Sequence, residues 1–218
     1  QIIVIITIII LVITSMLLPH LITFKLQANQ LFLMRTFLLI CASLLASLNA
    51  HAQKIHVQEN FNTSQLPAAW NDSIISGNAN WSFGIDASAL EAGNNNFDNT
   101  SLAFFDDDAL GGSAPFSTAH LYTPVFDNSL DSATYVQFIY NYRTDANVSG
   151  FFEVDVFDGS NWVNVFSKTS KDCGAWLGGA CQQGYPRAKI DISSFRNTNC
   201  QIRFVFDDGD DWDYYVGI

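Results

Sequence analysis

Two runs of carboxylates are the part of this sequence best suited to chemistry. Asp106, Asp107 and Asp108 directly follow the apolar segment 102–105, and five further aspartates crowd residues 207–213, after another strand-like segment. Both runs are therefore expected in loops at strand ends, where their oxygens can meet at one point. Adjacent carboxylates repel, and Ca²⁺, which accepts about six to eight oxygen ligands in flexible geometry, offsets that repulsion. The pattern predicts a structural calcium site at Asp106–Asp108, with a solvated acidic rim as the alternative.

Other kinds of chemistry find little support in the residue types present. Neither acidic run has EF-hand spacing, because Gly209 comes too early and no glutamate follows it. The sequence has no G-x-S-x-G or H-E-x-x-H motif, and beyond residue 52 it has two histidines and three glutamates to transfer protons. Paired aspartates could serve a glycosidase, but nothing in the pattern separates their pKa values. We therefore expect no catalytic residues and no enzymatic activity.

The charge balance argues against nucleic acid as a partner. The 218 residues hold 21 Asp and Glu against 10 Lys and Arg, a net charge of −11. A polyphosphate would be repelled by such a surface. Hydrophobic residues make up 49% and aromatic residues 14% of the chain, which is enough apolar area to form a core.

The first 52 residues differ in kind from the rest. They contain no acidic residue, and residues 1–18 form an unbroken apolar or hydroxyl stretch. Met34-Arg35 then precedes the apolar run 37–48, and the small-residue site Ala50-His51-Ala52 follows it. A short basic start, an apolar run of about a dozen residues and an A-x-A site are the three parts of a secretory signal peptide.

This pattern divides the chain into three segments. Residues 34–52 are predicted to be a signal peptide, and cleavage is expected before Gln53. Residues 1–33 are interpreted as upstream sequence outside the mature protein, with a membrane anchor as the alternative because the stretch is long enough to span a bilayer. Residues 53–218 are expected to be the mature domain of a secreted or cell-surface protein.

Three cysteines lie in the predicted mature domain. Cys173 and Cys181 flank a short glycine-rich segment, and an exported chain meets an oxidising compartment, so we expect them to form a disulfide worth roughly 2–3 kcal/mol. Cys200 is left over, either buried as a small hydrophobic residue or paired outside the fragment. No Cys and His spacing typical of zinc sites is present.

The mature segment is rich in predicted strands and poor in helical periodicity. Short apolar or alternating segments are separated by clusters of Asn, Gly, Ser and Asp, and Asp158-Gly159 predicts a hairpin turn. This pattern favours an all-β sandwich of two antiparallel sheets. The predicted strands are 55–59, 81–85, 102–105, 121–126, 134–142, 151–157, 162–166, 188–192 and 201–206.

Aromatic residues are expected to fill the space between the two sheets, because each buries a large area. A sugar-stacking platform is the alternative for these rings. Trp176 and Tyr185 in the cysteine loop are expected outside the core and are the candidates for ligand binding. The residues assigned to the core are Phe61, Trp70, Trp81, Phe83, Phe138, Tyr140, Trp162, Phe204, Phe206 and Trp212.

The order of several short motifs along residues 55–218 resembles the MAM-like jelly roll, in its bacterial choice-of-anchor J or cleaved adhesin type. The resemblance implies a jelly-roll β-sandwich of two antiparallel sheets. Such domains occur in secreted or surface-attached proteins, often of Bacteroidetes, beside other domains of the same parent chain such as peptidases. The motifs are Glu59-Asn60-Phe61, LPAAW at 66–70, WSFG at 81–84, LYTPVFD at 121–127, FFEVDV at 151–156, DGSNW at 158–162, RFVF at 203–206 and Gly217-Ile218.

The resemblance also implies a structural Ca²⁺ held by the first strand, a mid-chain acidic loop and an aspartate after the closing Gly-Ile. Glu59 and the loop Asp106, Asp107, Asp108 match the first two contributions. The third would lie past Ile218, so the last strand is expected to be truncated.

These observations predict a non-catalytic adhesion or binding module with an extracellular protein or glycan as its partner. Two alternatives remain open: a carbohydrate-binding module, and an accessory domain of a secreted hydrolase such as a peptidase. An exposed row of aromatic residues would favour the first alternative, and a neighbouring catalytic domain would favour the second.

Overall fold

The computed structural model describes residues 30, 32, 34–39, 54–84, 101–112, 115–144, 149–171, 185–211 and 213–218. The chain divides into two units, residues 1–54 and 55–218. In the first unit, the described residues between 30 and 39 are helical. Within the described parts of the chain, no helix is long and apolar enough to cross a membrane. Gln53, where cleavage is expected, lies outside the described residues.

The second unit is built from antiparallel strands, as the sequence predicts. A five-stranded sheet has the order β1-β4-β10-β7-β8, a four-stranded sheet has the order β2-β3-β11-β6, and β5 pairs with β9. The two larger sheets pack as a sandwich, which confirms the predicted fold class. The strands are β1 (Asn71–Ser76), β2 (Ser82–Gly84), β3 (Leu102–Asp106), β4 (Thr118–Tyr122), β5 (Tyr135–Ile139), β6 (Asn141–Arg143), β7 (Phe151–Phe157), β8 (Trp162–Lys168), β9 (Arg187–Asp191), β10 (Gln201–Asp207) and β11 (Tyr215–Gly217).

The core lies between the sheets and follows from the alternation of side chains along each strand. In β10, Ile202, Phe204 and Phe206 are buried in the core cluster, whereas the residues between them point to the other face of the sheet. The rings of Phe105 on β3 and Phe206 on β10 stack with centroids 4.6 Å apart. Aromatic stacking therefore joins one sheet to the other.

The predicted hairpin at Asp158-Gly159 is confirmed. β7 and β8 pair in antiparallel register on either side of it, and Gly159 has a φ of 100°, a conformation that favours glycine. The Asp158 carboxylate accepts hydrogen bonds from the backbone N–H groups of Ser160 and Asn161, both at 2.8 Å. The turn is thus stabilised by its own residues.

Three strand predictions differ from the structure. The strand predicted at 121–126 lies earlier in the chain, because β4 covers Thr118–Tyr122 and Phe126 forms an isolated bridge with Cys200. Residues 55–59 form no strand; instead the His56 ring is bonded to the Asp131 carboxylate at 2.5 Å. The predicted strand 134–142 is interrupted at Tyr140, because β5 pairs with β9 while β6 pairs with β11. The chain therefore changes its pairing partner within one apparently continuous alternating segment.

Two strands carry no clear signal in the sequence. β1 has the polar sequence NDSIIS, which is typical of a loop, yet it pairs with β4 at the edge of the five-stranded sheet. β11 is only three residues long but lies between β3 and β6. Both strands are specified by their partners rather than by local propensity.

Most of the aromatic residues assigned to the core are found there. Phe61, Trp81, Tyr140, Phe204 and Phe206 are buried, Trp70, Phe83 and Phe138 are half-buried against them, and Trp212 lies outside the described residues. The assignment of Trp162 was wrong. In β8, Val163 pairs with Val156, which belongs to the core, so its neighbour Trp162 points to the opposite face.

Cys200 is a buried thiol that forms no disulfide, in agreement with its interpretation as a small hydrophobic residue. It packs in the core cluster, and burial raises its pKa to about 11. Cys173 and Cys181 lie outside the described residues, so their pairing stays a prediction.

Candidate functional site

The structure brings the two acidic runs together. β11 pairs with β3 so that Tyr215 lies opposite Asp106, and this register places the segment before β11 beside the segment after β3. The backbone N–H of Asp213 donates to Asp107 Oδ2 at 2.8 Å, and the N–H groups of Asp107 and Asp108 donate to the carbonyl of Tyr214. We call Asp106, Asp107, Asp108, Asp208 and Asp213 the acidic cluster.

The loop after β10 is held tightly against its neighbours. Asp208 Oδ2 accepts the backbone N–H of Ser117 at 2.5 Å, and Asp207 Oδ2 accepts the hydroxyl of Thr118 at 2.8 Å. Gly209 has a φ of 72°, and a Cβ there would collide with the backbone of Gly150. A Cβ on Gly150 would in turn lie 2.5 Å from Asp213 Oδ2. Glycine is therefore required at both positions for this close approach.

The acidic cluster holds buried negative charge. Burial raises the pKa of Asp107 to about 7; the hydrogen bond from the Asp213 N–H opposes this, while the charges of Asp208, Asp213 and Asp106 add to it. Burial also raises the pKa of Asp208. The Tyr142 hydroxyl donates to Asp213 Oδ2 at 3.3 Å. A nearby cation would relieve the mutual repulsion of these carboxylates.

The predicted calcium ligands fit a cation only in part. The donors are oxygens, as Ca²⁺ prefers, but among the residues that the structure describes no three His, Cys, Asp or Glu side chains are grouped so as to hold a metal. Glu59 Oε1 instead accepts the backbone N–H groups of Asn60 and Phe61 at 2.9 and 2.8 Å. These bonds stabilise the turn at Phe61, whose φ is 50°. The calcium site stays a prediction.

A second group of candidate functional side chains lies on the outer face of the five-stranded sheet, opposite the core. Cross-strand register aligns one row of this face over five strands: Asn71, Tyr122, Arg203, Asp155 and Asn164. His120 lies two residues before Tyr122 on the same face, and Trp162 lies two residues before Asn164. We call His120, Tyr122, Asp155, Trp162 and Arg203 the sheet-face cluster.

An ion pair organises the sheet-face cluster. Arg203 Nε donates to Asp155 Oδ2 at 2.7 Å, and the exposed fractions of the two side chains are 22% and 6%. Asn164 Nδ2 donates to the other carboxylate oxygen at 3.0 Å. The guanidinium carbon lies 4.6 Å from the centroid of the Trp162 ring. Arg203 is thus oriented by a carboxylate and an aromatic ring at once.

Aromatic rings lie beside this ion pair. The centroids of Tyr122 and Trp162 are 5.7 Å apart, and Phe157 lies 5.4 Å from Trp162. The Tyr122 hydroxyl is hydrogen-bonded to His120 Nδ1 at 2.9 Å. All four side chains are half-buried, so they remain in part accessible.

Two titratable groups on this face have shifted pKa values. Burial and the nearby charge of Arg203 lower the pKa of His120, so this histidine is neutral at pH 7. Burial raises the pKa of Glu153, which lies on the same face of β7 as Asp155. The face therefore presents hydrogen-bonding groups with little positive charge.

The sheet-face cluster was missed by the sequence analysis, although a signal for it exists. Charged residues alternate with core residues in segments otherwise read as buried strands: Glu153 and Asp155 in β7, and Arg203 in β10. Of the ligand-binding residues that were predicted, Tyr185 is half-buried against Leu102 and Tyr215, and Trp176 lies outside the described residues.

Comparison with solved structures identifies the fold. The K1 cleaved adhesin domain of Lys-gingipain from Porphyromonas gingivalis W83 matches with a TM-score of 0.53 and 17% identity, covering 75% of this chain and 94% of that one. The K3 cleaved adhesin domain of the same protein matches with a TM-score of 0.49 and 13% identity, covering 74% and 92%. The module TmCBM61, solved with β-1,4-galactotriose, matches with a TM-score of 0.41 and 12% identity, covering 75% and 94%.

The likeness to the K1 domain confirms the jelly-roll-like fold that the resemblance in the sequence implied. At 17% identity it shows the fold and nothing of the ligand. No protein-family model matches the sequence, and no curated protein matches it.

Proposed function

We propose that residues 53–218 form a non-catalytic binding module of a secreted or cell-surface protein, which holds an extracellular protein or glycan on the sheet-face cluster. The observation that carries the proposal is the ordered arrangement of Tyr122, Arg203 and Trp162, all half-buried, on the outer face of a sheet. Aromatic rings and an oriented guanidinium are the groups that most often dominate binding energy at protein surfaces. The cleaved adhesin fold is consistent with this role.

The hydrogen bonding within the sheet-face cluster favours binding over catalysis. Arg203 is bonded to Asp155, and His120 Nδ1 is bonded to the Tyr122 hydroxyl. A general base must be within hydrogen-bond reach of a proton on the substrate or nucleophile, whereas these groups bond to one another. Their mutual bonds hold the surface in one conformation, which lowers the entropy cost of binding.

The proposal predicts that Tyr122→Ala weakens ligand binding about tenfold, because the ring loses contact with the ligand and no longer supports Trp162. The full chain would be tested on arrays of extracellular proteins and of glycans. Tyr135→Ala is the matched control, since Tyr135 is an exposed tyrosine on β5 with an exposed fraction of 46%. Equal binding by wild type and Tyr122→Ala would contradict the proposal, as would turnover of any bound ligand.

We further propose that the acidic cluster holds a structural Ca²⁺ through Asp106, Asp107 and Asp108, with Glu59 contributing from the N-terminal segment. The raised pKa of Asp107 and its like-charged neighbours support a cation here, because the bound ion would offset charges that otherwise repel. The ion would fix the loops after β3 and β10 and would take no part in chemistry.

This calcium proposal predicts a thermal shift. Ca²⁺ at a hundredfold excess over its dissociation constant should raise the midpoint of unfolding by roughly 5–10 °C, and Asp106→Ala or Asp108→Ala should remove most of that shift. Asp72→Ala, an aspartate on β1, should leave the shift unchanged. Differential scanning calorimetry with EDTA, Ca²⁺ or Mg²⁺ measures the effect. An unchanged midpoint in millimolar Ca²⁺ would remove the metal site.

A further inference from the structure

The sheet-face cluster is poor in positive charge. Arg203 is the cation that the described central strands place on this face, and its charge is paired with Asp155 at 2.7 Å. Glu153 and Asp207 lie on the same face of β7 and β10 and add acidic groups, while the lowered pKa of His120 leaves that ring neutral at pH 7. The chain as a whole carries a net charge of −11. A ligand rich in carboxylate, sulfate or phosphate would therefore be repelled.

The rings of Tyr122 and Trp162 on this face lie closer together than the strands that carry them. β10 and β7 lie between the strands of Tyr122 and Trp162, so the two backbones are about 14 Å apart at the usual strand spacing. Their ring centroids are nevertheless 5.7 Å apart, with Arg203 beside the Trp162 ring. At least one of the two side chains therefore reaches across the central strands. The ring planes of Tyr122 and Phe157 are tilted by 60° and 51° to that of Trp162, and we call these three rings the aromatic surface.

Hydrogen-bonding groups border this aromatic surface on two sides. On one side, Asp155 and Asn164 pair across β7 and β8, next to the pair formed by Phe157 and Trp162. On the other side, Ser73 and His120 lie beside the Tyr122 hydroxyl. Carboxylates accept hydrogen bonds, amides and hydroxyls can donate or accept, and all are held by partners within the face. An aromatic surface with fixed polar groups at its border is complementary to a molecule with apolar C–H faces and hydroxyls around its edge.

The backbone of this face is not available to a peptide strand. β4, β10 and β7 are central strands paired on both sides, so a peptide could not extend the sheet here and would be limited to side-chain contacts. The described large hydrophobic residues with the greatest exposure in the second unit, such as Leu130 at 95% and Ile55 at 62%, lie elsewhere. The most exposed of the described hydrophobic side chains therefore contribute nothing to this face, unlike those at the centre of a typical protein interface.

Resting on the proposed function, we propose that the sheet-face cluster binds a neutral carbohydrate: an oligosaccharide of uncharged hexopyranose units that stacks on Trp162 and Tyr122 and hydrogen-bonds to the polar residues beside them. Stacking uses the C–H face of the sugar ring, and the ring hydroxyls accept from Arg203, which is half-buried, and from Asn164, which is exposed. The charge of this face and the shape of its aromatic surface together determine the class of ligand.

The test is a glycan array probed with the full chain, comparing cello-, manno- and galacto-oligosaccharides with polygalacturonate and heparin. We expect binding to neutral glycans, little changed between low and physiological salt. In calorimetric titration with the best neutral glycan, Trp162→Ala should weaken binding about tenfold, whereas Trp162→Phe, which keeps a ring, should weaken it less. Tyr135→Ala should bind as wild type does, and circular dichroism of each variant checks its folding.

The outcomes separate this inference from the proposed function. Preference for polygalacturonate or heparin overturns the inference, and so does neutral-glycan binding that is unchanged in both Trp162→Ala and Tyr122→Ala. Binding to a protein but to no glycan, when it is lost in Tyr122→Ala, overturns the carbohydrate ligand and leaves the binding module standing. Binding to neither array overturns both.

Discussion

Without divalent cations, the folded chain should lose stability as the pH rises from about 4 to about 7, and Asp107→Asn should remove most of that loss. The reason is the raised pKa of Asp107, which moves from 3.8 to about 7 on folding. Between these two values the folded state holds a proton that the unfolded state has released. Stability therefore falls with rising pH across this interval and levels off above it. Below pH 4 both states are protonated at this residue and the effect ends.

Asp107→Asn tests this residue with little change in shape. The asparagine side chain keeps an oxygen that can accept the N–H of Asp213, but it cannot ionise. Its free energy of unfolding at pH 8 should exceed that of wild type by on the order of 2 kcal/mol. Urea unfolding in EDTA at pH 5, 6, 7 and 8 measures both proteins. The lowered pKa of His120 makes stability rise with pH in both proteins alike, so the difference between them isolates Asp107. A difference that does not grow from pH 5 to pH 8 would contradict the raised pKa of Asp107.

Adding Ca²⁺ at pH 8 distinguishes a metal site from an acidic cluster that binds no cation. If the ion binds, wild type regains the stability that it lost on ionisation, and Asp107→Asn regains less because it has lost a charged ligand. If wild type is unaffected, the burial of Asp107 beside Asp208 and Asp213 is a permanent cost of the fold. The pH dependence in EDTA is expected in either case.

The strands that could be predicted from the sequence are those whose own residues specify them. β7 alternates buried Phe152, Val154 and Val156 with polar residues, and the Asp158-Gly159 turn sets the register of β8. β1 could not be found in this way, because its polar residues favour a loop and the strand depends on the neighbouring edge of β4. The interruption at Tyr140 depends on a change of partner between β9 and β11, to which local alternation is insensitive.

The same contrast applies to the candidate functional residues. The acidic cluster could be anticipated because the runs are continuous in sequence and end two strands. The sheet-face cluster is assembled from four strands, one or two residues from each, so no local motif marks it. The large size of Trp162 suggested a core position. Its neighbour Val163 faces the core and Asn164 faces outward, however, so Trp162 also faces outward. The alternation of side chains along a strand is therefore a better guide than residue type to the face on which a residue lies.

A large loss of stability is expected from Phe206→Ala, at about 3–5 kcal/mol. Phe206 is fully buried, and its ring stacks on Phe105 across the space between the two sheets. Removing it leaves a cavity that rigid strands cannot close, because both rings project from strands paired on each side. Phe116→Ala, at a phenylalanine with an exposed fraction of 52%, should change stability by no more than about 0.5 kcal/mol.

A double-mutant cycle with Phe105→Ala separates the contact between the sheets from the simple loss of buried area. If the two rings hold the sheets together, the double variant should be more stable than the sum of the single losses predicts, by about 0.5–1.5 kcal/mol. Chemical denaturation measures all four proteins. Strict additivity would mean that the rings do not interact directly, and a loss at Phe206 no greater than at Phe116 would contradict the sandwich itself. The sheet-face cluster depends on the same packing, since Phe206 and Arg203 project from opposite faces of β10.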